Sequence, residues 1–365
     1  MGSSDNRPQV GMVQTTDGPI SPEDLGRTIA HEHLFIDGTI SLLNLPESSR
    51  ERTIAKRELR LDDLWFVKRN PLRHRKNVVL GSVSQAINEV NSFKQAGGGT
   101  IVEVTPKNTG WDLHGIQAVS RTTGISIVKG TAFYIEPGHP ARLQGMTAED
   151  VRDEFIDDIR EGMGETRVKP GLIGEIGISQ MSDGELKVLR GAAQAARRTG
   201  APLSVHPPLH YGEKSPAEWS IKLLDIIEEE GLPPERVIFC HQDYCDEINH
   251  PSVDVQRTLA ERGAFIEFDL WGWDMYIESE AHASPSDNWR ARATIELIED
   301  GYVENLLFSH DVFTKVQLKT FGGTGYDHVL THVVPMLRTH GLDEAAIDTI
   351  LNENPQRILA FAEAR

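Results

Sequence analysis

The chain has 365 residues, 55 of them acidic against 37 basic, for a net charge of −18; with 39% hydrophobic and 25% charged residues it is composed like a globular protein and not a disordered one. The acid excess argues against a general binder of nucleic-acid backbone, and no apolar run approaches the ~20 residues of a membrane-spanning helix. The opening MGSSDNRPQVG lacks the charged-then-apolar pattern of a signal peptide, and Cys240 and Cys245 are too few for a disulfide framework, so a cytoplasmic protein is expected.

Short β-rich runs recur along the chain: TIAHEH from Thr28, TIVEVTP from Thr100, SIVKGTAFY from Ser126, GLIGEIGIS from Gly171, PLSVHPP from Pro202, RVIFCHQ from Arg236, AFIEFDL from Ala264 and NLLFSHD from Asn305. Most are rich in Val, Ile and Phe and alternate little, as strands buried on both faces do. Helical spacing fills the gaps between them. Ala86, Val90 and Phe93 precede the stop at Gly97–Gly99; Val151, Phe155 and Ile159 follow a capped start near Thr147; Leu186, Leu189, Ala193 and Ala196 precede Gly200; Trp219, Leu223, Ile226 and Ile227 precede Gly231. Eight βα units predict an α/β fold, a (β/α)8 TIM barrel forming a single domain over residues 1–365. An open doubly wound sheet is the weaker alternative, because no G-x-G-x-x-G follows the first strand. The longest gap, about residues 34–97, carries a basic cluster: Arg50, Arg52, Lys56, Arg57, Arg60, Lys68, Arg69, Arg73, Arg75 and Lys76. It reads as a solvated helical excursion over the barrel, or as a cover at the barrel mouth that attracts an anionic substrate.

The strand ends carry the chemistry. Strand one ends in His31-Glu32-His33, strand four carries Glu175, strand five ends in His206, strand six in His241 and strand eight in Asp311. In a parallel barrel all these ends meet on one face, where active sites lie. Alternation aims His31 and His33 to one side and Glu32 to the other. Four histidines with two carboxylates exceed one closed tetrahedral zinc site and suit two divalent ions sharing a carboxylate. Tyr134, at the end of strand three, and Trp271, Trp273 and Tyr276, after strand seven, are candidates for the wall of a substrate pocket or for packing of their own loops. Asp243, two residues past His241, is a candidate for orienting a ligand or relaying a proton. Lys315 and Arg121 are candidate partners of an anionic group without a fixed direction, and Cys240 and Cys245 more often mean packing than metal ligation.

At these residues the sequence resembles the phosphotriesterase-related branch of the amidohydrolase superfamily, from about Gly11 to Phe361. The resemblance is carried by Gly18-Pro19-Ile20 with Leu25 to His33, by Gly171-Leu172-Ile173-Gly174-Glu175-Ile176-Gly177, and by Phe308-Ser309-His310-Asp311 followed by Gly322-Gly323-Thr324-Gly325-Tyr326. It implies a binuclear metal site in which His31, His33 and Asp311 serve one ion, His206 and His241 the other, and Glu175 bridges them. Phosphotriesterase proper has a carboxylated lysine at that bridge; in the glutamate branch the glutamate itself takes the role, and Lys169 lies several residues too early. The departure points away from phosphotriesters and towards a hydrolase of lactones, esters or amides, a branch that includes a hydrolase of N-acyl taurine-type amides.

The expectation is therefore a metal-dependent hydrolase in which a hydroxide shared by two cations attacks a small carbonyl substrate, with Asp311 as metal ligand and proton acceptor. Zn²⁺ is the first candidate, and Mn²⁺, Co²⁺ or Fe²⁺ suit the same donors. Lactonase and amidase readings share one metal centre and stay open; a phosphotriesterase, or a ligand-binding barrel without catalysis, are the alternatives. The expected partner is a small molecule, with neither nucleic acid nor membrane. The family resemblance suggests a homodimer.

Overall fold

The computed structural model describes residues 7–209, 216–244, 252–273, 276–277 and 282–365. Eight parallel strands form its centre: β1 (Arg27–Glu32), β2 (Gly98–Glu103), β3 (Ser126–Thr131), β4 (Leu172–Gly177), β5 (Leu203–His206), β6 (Val237–Phe239), β7 (Phe265–Phe268) and β8 (Leu306–Phe308). Each pairs with its sequence neighbour, in the order β8-β7-β6-β5-β4-β3-β2-β1. The sheet curls until β8 returns beside β1. There a side chain takes the place of a ladder: the His31 amide donates to Ser309 Oγ (2.9 Å), Ser309 Oγ donates to the His31 carbonyl (2.8 Å), and the Asp311 amide reaches the same carbonyl (3.2 Å). This is the (β/α)8 TIM barrel expected from the eight-fold rhythm.

The helices between strands form where the spacing places them. Ala148–Glu161 starts with a reciprocal capping box between Thr147 and Asp150, and Asp183–Thr199 with one between Ser182 and Glu185; the latter ends on left-handed Gly200 (φ 76°). Their apolar faces and the outward residues of the strands make one shell of core. A second, smaller core fills the barrel itself: Ala30, Val102, Val104, Val128, Leu172, Ile238, Phe265 and Leu307, closed below by Val13, Leu25, Ile358 and Leu359. Strand periodicity is two, so on β6, β7 and β8 the residues two and four positions beyond these point into the barrel as well, while register irregularities between Ile29 and Glu32 on β1 and between Ile173 and Ile176 on β4 shift the alternation there. Cys240 follows Ile238, Glu267 and Asp269 follow Phe265, and Ser309 and Asp311 follow Leu307. The apolar filling therefore gives way to polar groups at the C-terminal ends of the strands.

Between β1 and β2, residues 34–97 carry a helix at Ser49–Lys56, a helical stretch through Leu61–Asp63 and Leu64–Val67, and Val83–Gln95 leading back to β2. Phe66 and Val67 pack on Val316 of the loop after β8. No helix among the described residues is long and apolar enough to cross a membrane.

Candidate active site

Three buried polar atoms converge at the barrel mouth without any hydrogen-bond partner: His31 Nε2, Glu175 Oε2 and His206 Nδ1. Orphaned buried polar atoms are costly, and three in one place ask for a bound cation. The surrounding distances fit one. His33 Nε2 lies 3.2 Å from Asp311 Oδ1 and 3.4 Å from Glu175 Oε1; His31 Nε2 lies 3.8 Å from both Asp311 Oδ1 and Glu175 Oε2; His241 Nε2 lies 4.0 Å from Glu175 Oε2. Three ligand-type groups result, His31–His33–Asp311, His31–Glu175–His241 and, on the other side of the His31 ring, His31–Cys240–Glu267–Asp269, each with its donor atoms within 4.8 Å of one another; none of them includes His206. His206 stands against His241, ring centroids 4.6 Å apart, and Glu175 is the carboxylate that belongs to both sides. The six residues expected to hold metal are thus brought together.

The backbone is shaped to present them. Gly174 sits at φ 147°, and a Cβ there would lie 2.5 Å from Ser204 Cβ and 2.7 Å from the Ser204 carbonyl, so only glycine allows β5 this close to Glu175. His241 (φ 56°) and Asp311 (φ 48°) both occupy the left-handed region, a strained conformation typical of functional positions. Glu32, turned away from the cluster as alternation requires, clamps the loop that carries Asp311. It accepts hydrogen bonds from Ser309 Oγ (2.7 Å), the His310 amide (2.9 Å), His310 Nδ1 (2.7 Å) and the Val312 amide (2.9 Å).

Each histidine is oriented through its other nitrogen, which fixes the tautomer. His31 Nδ1 donates to Glu267 Oε2 (3.1 Å) and lies 3.4 Å from Asp269 Oδ2; His241 Nδ1 donates to Asp269 Oδ1 (3.0 Å). His33 Nδ1 donates to Thr105 Oγ1 (2.9 Å), whose hydroxyl donates to Glu103 (2.5 Å), itself paired with the buried Lys129 (3.0 Å). His206 Nε2 meets the Tyr134 hydroxyl (3.1 Å). Burial holds the His241 and His206 imidazoles below their ordinary pKa, leaving neutral rings with a free lone pair. At His31 burial also pulls downward, but Cys240, Glu267 and Glu175 outweigh it and push the pKa well up. Burial raises Asp269 and Glu267, and it carries the Tyr134 phenol well above its usual range, aided by Glu175 and Asp311.

Glu267, Asp269, Thr105 and Glu103 are functional positions that the sequence reading passed over. Asp243 does not touch a histidine ring. It pairs with buried Arg290 (2.7 Å) and accepts from the amides of Asp269 (3.3 Å) and Leu270 (3.0 Å), so it holds the strand end on which Asp269 stands. Trp271 is fully buried against Phe308 and does not line the cavity, whereas Trp273 and Tyr134 do. Arg121 pairs with Asp17 on the surface, and neither it nor Lys315 reaches the cavity. Cys240 is buried and meets Ser204 Oγ (3.2 Å); Cys245 and the Tyr276 side chain lie outside the described residues.

Above the cluster opens a cavity of about 290 Å³. Its walls are mostly apolar, with Ile36, Leu42 and Leu72 from the excursion, Pro106, Ile135, Ile178, Leu209, Leu270, Trp273 and Phe313, interrupted by Thr109, Ser179, Gln180 and Tyr244, and with His33, Tyr134, Glu175, His206, His241 and Asp311 at the base. No Lys or Arg among the described residues lines it.

The profile of the phosphotriesterase family matches residues 11–359. The chain belongs to the phosphotriesterase family. It is 34% identical to the N-acetyltaurine hydrolase of Xenopus tropicalis over 357 residues, 96% of this chain and 98% of that one. A resiniferatoxin-binding protein from Rhodobacter sphaeroides superimposes with a TM-score of 0.90 at 37% identity, covering 97% of each chain. The phosphotriesterase homology protein of Escherichia coli, solved with phosphate in its active site, does so with a TM-score of 0.73 at 26% identity, over 92% of this chain and 99% of that one. The protein is a hydrolase of a family that works with two metal ions, and the cluster at the barrel mouth is where this chain can hold them.

Proposed function

We propose that the protein is a binuclear metal hydrolase of an uncharged, largely apolar carbonyl compound, an ester or lactone first. The observation that carries the substrate class is the cavity wall: its described residues are mostly apolar above the histidine–carboxylate base, with Thr109, Ser179, Gln180 and Tyr244 as neutral polar groups among them, and none is cationic. N-acetyltaurine, the substrate its relatives are named for, ends in a sulfonate. Burying that anion on neutral donors alone, without a cation, is costly. The wall therefore favours a neutral substrate here, despite the 34% identity.

His31, His33 and Asp311 would hold one ion, His206 and His241 the other, with Glu175 between them; zinc is the proposed metal, since imidazole and carboxylate donors suit it. Two such ions would lower the pKa of a water between them towards neutrality and polarise the substrate carbonyl. The chain's own groups do the rest. Asp311, whose Oδ1 lies 3.2 Å from His33 Nε2, would accept the proton of the attacking water and return it to the departing oxygen or nitrogen. Asp269 and Glu267 hold the His31 and His241 rings with their lone pairs aimed at the centre. Tyr134 fixes His206 and places its hydroxyl beside the carbonyl's site. The apolar wall excludes bulk water and seats the acyl chain or ring.

The test is a substrate panel with zinc-loaded protein: a medium-chain lactone, an aryl ester, N-acetyltaurine and a phosphotriester. The reading expects kcat/KM to be highest for the lactone or ester. A higher value for N-acetyltaurine or for the phosphotriester overturns the assigned substrate class.

A further inference from the structure

The basic cluster of the excursion has no role in the site just described, since none of its side chains lines the cavity. Residues 49–76 nevertheless carry ten Lys and Arg against four Asp and Glu, in a chain whose net charge is −18. Arg57 pairs with Asp63 and Lys76 with Glu58, and Lys68 reaches the Gly322 carbonyl. Arg50, Lys56, Arg60, Arg69 and Arg75 are surface-exposed, and their side chains make no hydrogen bond or ion pair with any described residue.

The same segment holds two of the four exposed large apolar side chains among the described residues. Leu61 is 82% exposed and Trp65 59%, with Ile40 at 72% just before the segment. Leu61 and Trp65 are four apart on the helical stretch Leu61–Val67, so they share one face, and Arg69 follows at the same spacing. Phe66 and Val67, on the opposite face, pack on Val316. The excursion's inner side meanwhile supplies Leu42 and Leu72 to the cavity. One element therefore has apolar residues facing the substrate space within, and an exposed apolar pair in a segment that also carries exposed cations with unpaired side chains.

We propose that this face docks on an anionic lipid bilayer. The chemistry matches at both levels of such a surface. Trp and Leu settle at the headgroup boundary, and Lys and Arg stay with the anionic headgroups. Charge complementarity selects this occupant: the rest of the chain is acidic and repels an anionic membrane, so only this face approaches one. Docked in this way, the element that walls the cavity lies against the phase in which apolar esters and lactones concentrate. The docking surface stands on the exposed residues alone, whichever substrate the site takes.

Sedimentation with vesicles of phosphatidylcholine containing about 30% phosphatidylserine, at low ionic strength, tests it on the full-length protein. Binding is expected to these vesicles, to fall steeply as salt rises, and to be absent with phosphatidylcholine alone. Leu61→Ser with Trp65→Ser, and separately Lys68→Glu with Arg69→Glu, are each expected to weaken binding at least tenfold, while Val10→Ser, exposed elsewhere, leaves it unchanged. All are surface positions, and unchanged circular dichroism and unchanged hydrolysis of a water-soluble ester establish that the variants fold. Three results overturn the proposal: no vesicle binding by the wild type, binding that the two double variants leave intact, or a concentration-dependent dimer that Leu61→Ser with Trp65→Ser dissolves, which would make the face a contact between copies.

Discussion

The two flanks of the metal cluster are held by different means. On the β1–β7–β8 flank, buried carboxylates fix the orientations directly, save that of His33, which is held through the Thr105 hydroxyl: Glu267 and Asp269 grip His31, Asp269 also grips His241, and Glu32 clamps the loop bearing Asp311. On the β3–β5 flank, His206 leans on a single neutral phenol, Tyr134, which also lines the substrate cavity. A buried carboxylate holds an imidazole tightly and raises its basicity, so the first flank is built for metal retention. A phenol that shares its hydroxyl between a ligand and the cavity is built to respond to what enters. Substitutions on the two flanks should therefore separate metal loss from turnover loss.

Glu175 lies between the flanks, and its replacement should have the largest effect. Glu175→Gln removes one anion from a cluster of neutral imidazoles and leaves an amide where two cations need a charge. Metal content, read by elemental analysis after reconstitution with zinc, is expected to fall below two per chain, with activity lost by more than the ~10–100-fold typical of an orienting partner. Full metal content with wild-type activity would show that Glu175 does not join the flanks. Asp311→Asn should follow, since it removes the proton acceptor and weakens a ligand: a loss of about 10²–10⁴-fold in kcat with the fold intact by circular dichroism. Turnover within a few-fold of the wild type would place the proton elsewhere.

The comparison sharpens with one substitution per flank. Asp269→Asn unseats His31 and His241 together, one from each ligand group, and is expected to weaken zinc binding ~10–100-fold in a chelator competition. Tyr134→Phe removes one neutral hydrogen bond, worth ~1 kcal/mol, and should lower kcat about fivefold while metal affinity stays near the wild type. If Tyr134→Phe loses metal as readily as Asp269→Asn, the two flanks do not differ in the way their partners imply.

How much of this was legible in the sequence follows from where each signal lies. The barrel was legible because buried parallel strands are continuous apolar runs, and the helices between them carry their own caps, as at Thr147 and Ser182. The six candidate ligands were legible because a histidine or acid at the end of such a run is conspicuous. Their partners were not. Glu267 and Asp269 lie within AFIEFDL, where an acid at alternate positions looks like the polar face of an ordinary strand; only the closed barrel turns that face inward. Thr105 reaches His33 across 72 residues, and Asp243 finds Arg290 across 47. Nothing local announces either contact. Trp271 and Trp273, two apart and equally suggestive on paper, face opposite ways, one into the core beside Phe308 and the other onto the cavity.

The smallest expected effect concerns the frame of the cavity and not its chemistry. Glu185 caps its own helix and also receives the Ser179 hydroxyl (2.6 Å) and the amides of Gln180 (3.0 Å) and Glu136 (3.1 Å), tying together the loops after β3 and β4. Burial pushes its carboxyl up, but these hydrogen bonds outweigh burial and hold it below its ordinary value. A carboxylate with a lower pKa folded than unfolded adds stability above its unfolded value, and that stability is lost as pH falls through the folded one. Glu185→Gln should therefore cost ~1–3 kcal/mol at neutral pH by urea denaturation, with the gap to the wild type closing as the medium is made more acid than the ordinary glutamate range. The metal cluster also weakens in acid, but in both proteins alike, so the difference between them isolates Glu185. A gap that stays constant as the pH falls well below that range would mean that the carboxylate's charge contributes nothing to holding these loops, and that the loss at neutral pH comes only from the poorer fit of the amide to the same donors.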